Sequence, residues 1–324
     1  MSRETADAIV LKTTEFSESS LILDVFTREF GKISGLAKGA RRLKNPFETS
    51  LDLLASIRLS FIKKDSDALD LFTEAKLRRR FRPTARNYRG LYAGYYIAEL
   101  LDRTILEDQT YPELWSLADA TLERLQFRSS VEARVAYFEA GLLEALGEFP
   151  SIRGCVDCGE ELPLERVDNL ERGVYFDVVA GGVVCSRCRA RARRWALVRT
   201  TIGALKALDV SRRGAKETLR IARTLDNWRS ALESETTGLS TLERLDRENR
   251  VRSAFIELDE ETLEPYNAFP RASRLAFRKL AEQYVCRTLR LRPRTLDFLP
   301  LAFGEREQRG EVPETELASN GADG

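Results

Sequence analysis

The stretch Leu21-Ile22-Leu23-Asp24-Val25-Phe26, then Arg28-Glu29-Phe30-Gly31, then Lys32 to Leu36 decides how the first part of the chain folds. Leu21, Leu23 and Val25 alternate with Ile22, Asp24 and Phe26, a period of two in branched and aromatic residues that marks a strand. The Gly-containing turn leads into a second run. Outward from this hairpin the pattern recurs in Ala8–Leu11 before it and in Ala55, Ile57, Leu59 and Phe61 after it; a polar turn at 63–67 precedes Leu69-Asp70-Leu71-Phe72. Five short strands in so short a segment predict a small closed barrel. The OB-fold is one such barrel and the SH3-like barrel another, and periodicity does not separate them.

After Arg82-Pro83 the period lengthens. Tyr88, Leu91, Tyr95 and Ala98 recur every three or four residues, as on one face of a helix. Thr110 with Glu113, and Ser129 with Glu132, have the spacing of capping boxes opening two more helices, the second stopping at Gly147. Residues 151–195 break the pattern with glycines, cysteines and short apolar pieces, and helical periodicity returns over Thr201–Val210, Glu217–Leu232 and Ala272–Arg290. The predicted fold is therefore α+β and multidomain: a barrel over 1–80, an α-helical domain from 81–150 and 196–302, a four-cysteine ribbon inserted at 151–195, and a disordered acidic tail at 303–324.

The 324 residues carry 52 Lys and Arg against 51 Asp and Glu, a net charge of +1, with 43% hydrophobic residues and no histidine. The lack of histidine removes Ser-His-Asp and Cys-His nucleophiles and every His-containing metal site. No apolar run approaches the roughly 18 residues that mark a membrane span. The charged start MSRETADAIVLK has no apolar signal core, so a soluble cytoplasmic protein with no membrane partner is expected. The near-zero net charge conceals segregation. Arg28–Lys44 holds six basic residues and one acid, Lys76–Arg89 seven and none, Arg187–Arg199 six and none, and Arg287–Arg294 four and none. Acids concentrate in Glu233–Glu264 and Phe303–Gly324. Even interspersion would be an ordinary solvated surface; blocks of one sign suggest a field aimed at a polyanion.

Four of the five cysteines form two C-x-x-C pairs, Cys155/Cys158 and Cys185/Cys188, with 26 residues between them. Each pair can place two thiolates on one metal through a tight knuckle, and Gly159 permits the left-handed turn that closes the first. Arginines 187, 189 and 191 would help keep the second pair as thiolates. Four thiolates form a closed, structural zinc site, one per chain; an iron–sulfur cluster would use the same ligands. Cys286 lies far away in a helical segment and is expected to be a packed thiol.

The order of barrel, helices, four-cysteine ribbon and further helices is uncommon. Ala8-Ile9-Val10-Leu11, Glu18-Ser19-Ser20-Leu21-Ile22-Leu23, Phe26-Thr27-Arg28-Glu29-Phe30-Gly31-Lys32 and Ala37-Lys38-Gly39-Ala40-Arg41-Arg42 together resemble the bacterial RecO family of recombination mediators. So do Phe176 with Gly181-Gly182 ahead of Cys185-Ser186-Arg187-Cys188, and the Leu-rich segment near Arg287–Leu299. The resemblance implies a non-enzymatic protein whose N-terminal OB-fold binds single- and double-stranded DNA. It further implies annealing of complementary strands, and loading of RecA together with RecR and the single-stranded-DNA-binding protein, in the cytoplasm at the nucleoid.

A barrel with a basic loop suits single-strand binding by combining backbone charge with aromatic platforms. Lys32, Lys38, Arg41, Arg42 and Lys44 fall between two predicted strands, where an OB-fold exposes a binding loop. Phe16, Phe47 and Phe61 are candidate stacking residues, although Phe61 alternates with core-like positions. Arg78, Arg79 and Arg80, with Arg82, are either further DNA contacts or an interdomain salt-bridge network. Two other functions compete: a general zinc-ribbon nucleic-acid factor in transcription or translation, and a nuclease. The nuclease needs clustered carboxylates for Mg²⁺. Glu243, Asp246 and Glu248 are interleaved with arginines, which is the pattern of solvated helix surface.

Overall fold

The computed structural model describes residues 2–303 apart from 43, 48–50, 65–67, 85–86, 108, 128–129, 236–259 and 291. The predicted acidic tail, from residue 304 on, and most of the acid-rich stretch lie outside the described residues.

Strands β1 (Ser2–Glu15), β2 (Leu21–Thr27), β3 (Gly31–Ala37), β4 (Ser56–Lys63) and β5 (Asp70–Arg79) close into a barrel in the order β1-β2-β3-β5-β4. All pairings are antiparallel except β3 with β5, which run parallel through Gly35↔Asp70, Leu36↔Leu71 and Ala37↔Phe72. This is the OB-fold arrangement of a five-stranded Greek-key barrel. Ala6, Ala8 and Val10 of β1 face the barrel interior with Leu23, Val25, Ile57, Leu59, Phe61 and Phe72. The intervening Ile9 and Leu11, with Phe26, join the core of the helical body instead. Covering both faces turns the expected alternation into the continuous buried run Ala6–Leu11.

Helices α1 (Tyr88–Thr104), α2 (Pro112–Leu125) and α3 (Val131–Ala145) precede the ribbon. Two start signals differ from expectation. The N-cap of α2 is Tyr111, with no side-chain cap, because Pro112 takes the first helical position and dispenses with one amide donor. The cap of α3 is Ser130, which accepts from the Ala133 amide. Gly147, at φ +74°, ends α3 as predicted.

Helix α4 (Ile202–Glu235) is one continuous helix where the periodicity gives two. The polar interruption is a close contact: a Cβ at Gly214 would strike the Tyr137 ring of α3, and Ser211 satisfies its hydroxyl on the Ala207 carbonyl. A single turn, α5 (Glu264–Asn267), and helix α6 (Arg271–Thr288) follow. Arg278 of α6 and Glu139 of α3 form a fully buried ion pair, to which Tyr96 of α1 donates a hydrogen bond at 2.7 Å. No helix among the described residues is long and apolar enough to cross a membrane.

The barrel docks on the helical body through its β2–β3 turn. Lys32 Nζ binds the Asp102 carboxylate at 2.7 Å and the Asp102 carbonyl at 2.6 Å at the end of α1. Trp115 Nε1 of α2 donates to the Phe26 carbonyl at 3.1 Å. Gly31, at φ +71°, sits against the Gln109 backbone so closely that a Cβ would collide with its carbonyl oxygen.

Candidate nucleic-acid interface and metal centre

Two loops of the barrel are stitched into one rim. The Arg41 amide donates to the Ser19 carbonyl at 3.1 Å, and the Gly39 amide donates to the Ser20 hydroxyl at 3.4 Å. The β3–β4 loop, carrying Lys38, Arg41, Arg42 and Lys44, therefore lies beside the β1–β2 loop, carrying Phe16. Gly39 at φ +72° makes the turn that lets this loop fold back. Lys38, Arg41, Arg42 and Lys44 are all exposed, and Phe16 is 60% exposed. Arg41 has one acidic neighbour, Glu15 at 3.2 Å, itself exposed. The rim presents cations on one loop and an exposed aromatic ring on the loop beside it.

Two of the other expected aromatics do not reach it. Phe61 is fully buried in the barrel, edge-on to Phe30 and Phe72, and Phe47 is buried in the same core. Lys32 lies on β3 rather than in the loop, and its ammonium group is taken up by α1.

The Lys76–Arg89 block is largely ion-paired. Arg79 holds Asp119 of α2 through both carboxylate oxygens, at 2.5 and 3.1 Å, and reaches the Asp119 carbonyl at 2.9 Å. Its side chain is 17% exposed. It is an interdomain clamp, because a partly buried guanidinium saturated by a carboxylate has little left for a phosphate. Burial pushes the Asp119 carboxyl up, and Arg79 more than offsets this, leaving it below its ordinary value of 3.8. Arg78 pairs with Asp7 at 2.5 Å and Arg82 with Asp52 at 3.3 Å. Arg80 is half-buried beside them.

The ribbon is a three-stranded antiparallel sheet, β7-β6-β8, of β6 (Gly173–Asp177), β7 (Gly182–Val184) and β8 (Leu197–Thr201). Its third strand comes from beyond residue 195 and runs directly into α4. Phe176 anchors the sheet by meeting Tyr284 of α6 edge-on, with ring centroids 5.5 Å apart. Both knuckles fold as their glycine and spacing require. The Gly159 amide donates to the Cys155 carbonyl at 2.9 Å with Gly159 at φ +73°, and the Arg189 amide donates to the Cys185 carbonyl at 3.0 Å.

The Sγ atoms of Cys155, Cys158, Cys185 and Cys188 all lie within 4.8 Å of one another, and those of Cys158 and Cys185 are 3.7 Å apart. A tetrahedron with zinc–sulfur bonds of about 2.3 Å has edges of about 3.8 Å, so the four sulfurs fit a single ion. The thiols are unequal. Burial opposes ionisation of Cys155, yet the amides of Cys185, Cys158 and Asp157 bring it down to about 6. Hydrogen bonds from Cys158 and Cys185 push Cys188 up to about 12. Of the neighbouring arginines, Arg187 is paired with Glu160 at 3.0 Å and also attracts the Cys158 and Cys185 sulfurs, whereas Arg189 lies over the Tyr175 ring at 4.1 Å. A cation among the sulfurs is what would ionise all four. Cys286 is a half-buried thiol on α6, as its helical spacing predicts.

One aromatic that sequence reasoning misses is Trp195, which is 66% exposed between the guanidinium groups of Arg193 and Arg287. The signal for it is a large aromatic inside an all-basic run.

Comparison with known proteins places this geometry. Residues 1–81 match the family model described as recombination protein O N terminal, and residues 85–226 match recombination protein O C terminal. The DNA repair protein RecO of Rhodopirellula baltica is 44% identical over 182 residues, covering 56% of this chain and 66% of the relative. The RecO protein of Syntrophus aciditrophicus is 26% identical over 230 residues, 71% of this chain and 86% of the relative. That of Geobacter metallireducens is 30% identical over 182 residues, 56% and 71%. With an OB-fold barrel, a helical body and matches that run through both, the chain belongs to the RecO family of DNA repair proteins.

Proposed function

We propose that the protein is a DNA-binding recombination mediator. It holds single- and double-stranded DNA, anneals complementary strands, and acts with RecR on DNA coated by the single-stranded-DNA-binding protein so that RecA can load. It works at the nucleoid and performs no covalent chemistry. The observation that supports this most directly is the barrel rim, where exposed Arg41, Arg42, Lys38 and Lys44 lie on a loop stitched to the one that carries exposed Phe16. The OB-fold uses this class of loop for oligonucleotides. The four cysteines hold one structural zinc, with no open position for substrate.

The test is a strand-annealing assay on complementary strands coated by the single-stranded-DNA-binding protein, run with the intact protein and with the Arg41→Glu/Arg42→Glu variant. The intact protein should anneal. The variant should bind all sequences more weakly, with the slope of affinity against salt reduced by roughly 1.4, about 0.7 for each single-strand phosphate that is no longer neutralised. An unchanged slope and affinity would remove the rim from the site, and metal-dependent strand cleavage would refute the non-enzymatic reading.

A further inference from the structure

Five of the six arginines in the 187–199 run, all but Arg187, differ from those that clamp the barrel in one respect. Among the described residues, Arg79, Arg78 and Arg82 each face a carboxylate, whereas Arg189, Arg191, Arg193, Arg194 and Arg199 pair with none, and all five are exposed. Clustered guanidinium groups without counter-charges repel one another, and a protein gains nothing in stability from gathering them. Trp195 sits in the middle of this group. Its indole is 66% exposed, with Arg193 6.0 Å from the ring centre on its own loop and Arg287 of α6 at 5.6 Å. Exposing a tryptophan to water forfeits one of the largest burial energies available to a side chain.

At the other end of β8 a cavity of about 330 Å³ opens between that strand and α6. Arg199 and Lys279 line it, with Glu171 as its acid. Thr200 lines it too, and the Thr200 hydroxyl is buried with no hydrogen-bond partner among the described residues. A stacking platform at one end of the β8–α6 seam, a cationic cavity at the other and arginines without carboxylate partners around them define the chemistry of a single nucleic-acid strand.

We propose that the ribbon carries a second single-strand site, separate from the barrel rim, in which Trp195 stacks on a base beside Arg193 and Arg287 while Arg199 and Lys279 take a backbone phosphate. The inference rests on the strand-binding reading above and gives the four-cysteine ribbon a role in it. One chain then holds two strands at two places, which is the arrangement that annealing needs.

The test uses the full chain and oligo(dT), which cannot pair with itself. Binding should quench tryptophan emission in the intact protein, and Trp195→Phe should lose most of that quench while keeping most of the affinity, because phenylalanine still stacks. In the Arg41→Glu/Arg42→Glu background, adding Trp195→Ala or Arg193→Glu/Arg194→Glu should weaken residual binding by roughly tenfold. Zinc content should stay at one ion per chain, since these side chains are exposed and are not ligands. If the intact protein binds oligo(dT) but its quench survives Trp195→Phe and neither addition changes affinity, the second site is refuted and the barrel reading stands. If the intact protein binds no oligo(dT) at all, both fall.

Discussion

The barrel and the ribbon are both small β-structures of one chain, and they are held together by different means. The barrel has an apolar interior of its own, with Phe61, Phe72, Phe47, Leu23, Ile57 and Leu59 fully or almost fully buried. Outside its anchors on the helical body, the ribbon's own buried cluster is only Cys155, Val184 and Cys188. A sheet with so little apolar surface cannot offset the entropy of ordering its loops, which is why small domains recruit metals. The lesson is that the cysteines and the phenylalanines do the same job. One part of the fold is stabilised by excluding water, and a metal on the four clustered cysteines would stabilise the other by coordination.

The largest effect should come from the metal ligands. Cys185→Ser, or strong chelation, should abolish amide-exchange protection in β7 and in the 185–192 segment while leaving β1–β5 protected. If the barrel lost protection as well, the two regions would be one cooperative unit and the contrast would fail. Phe61→Ala is the converse experiment. Emptying the centre of the barrel should cost about 3–5 kcal/mol, as large aromatic truncations do. Denaturant unfolding checks the loss, and metal content should be unaffected.

The smallest effect concerns the clamp between barrel and helices. The Asp119 carboxyl is lowered in the folded protein, so it adds stability above the ordinary aspartate value of 3.8 that is lost as pH falls through its folded value. Acid titration below that value should loosen the barrel from α2 in the native protein. The acid dependence should be smaller in Arg79→Met, where the lowering is removed; equal profiles would show that the clamp does not couple the two parts.

Most of the architecture was legible in the sequence because each element carried its own period. Strand alternation around Leu21–Phe26 and the C-x-x-C spacing are local signals, and the barrel and the sulfur cluster follow from them. What stayed illegible was relational. Nothing local distinguishes Arg79, which Asp119 neutralises from forty positions away, from Arg41, which projects from the rim. Lys32 reads as one more loop cation until α1 is placed beside it. Phe47 and Phe16 both sit in polar loops, and only the closed barrel shows that one turns inward and the other does not. The apparent break in α4 was a small residue kept for a neighbouring ring, a requirement set by helix packing.

The collision that a side chain at Gly31 would meet has a consequence for how force passes through the molecule. The β2–β3 turn is a bearing surface: its glycine fits flush against the Gln109 backbone, and Lys32 beside it is pinned to Asp102. A strand gripped at the barrel rim and pulled along its length loads this junction as well as the clamp at Arg79. With both fastened, tension on a strand bound as proposed would pass to the helical body as displacement. A methyl group at Gly31 would act as a shim, tilting the barrel without touching the cations of the rim.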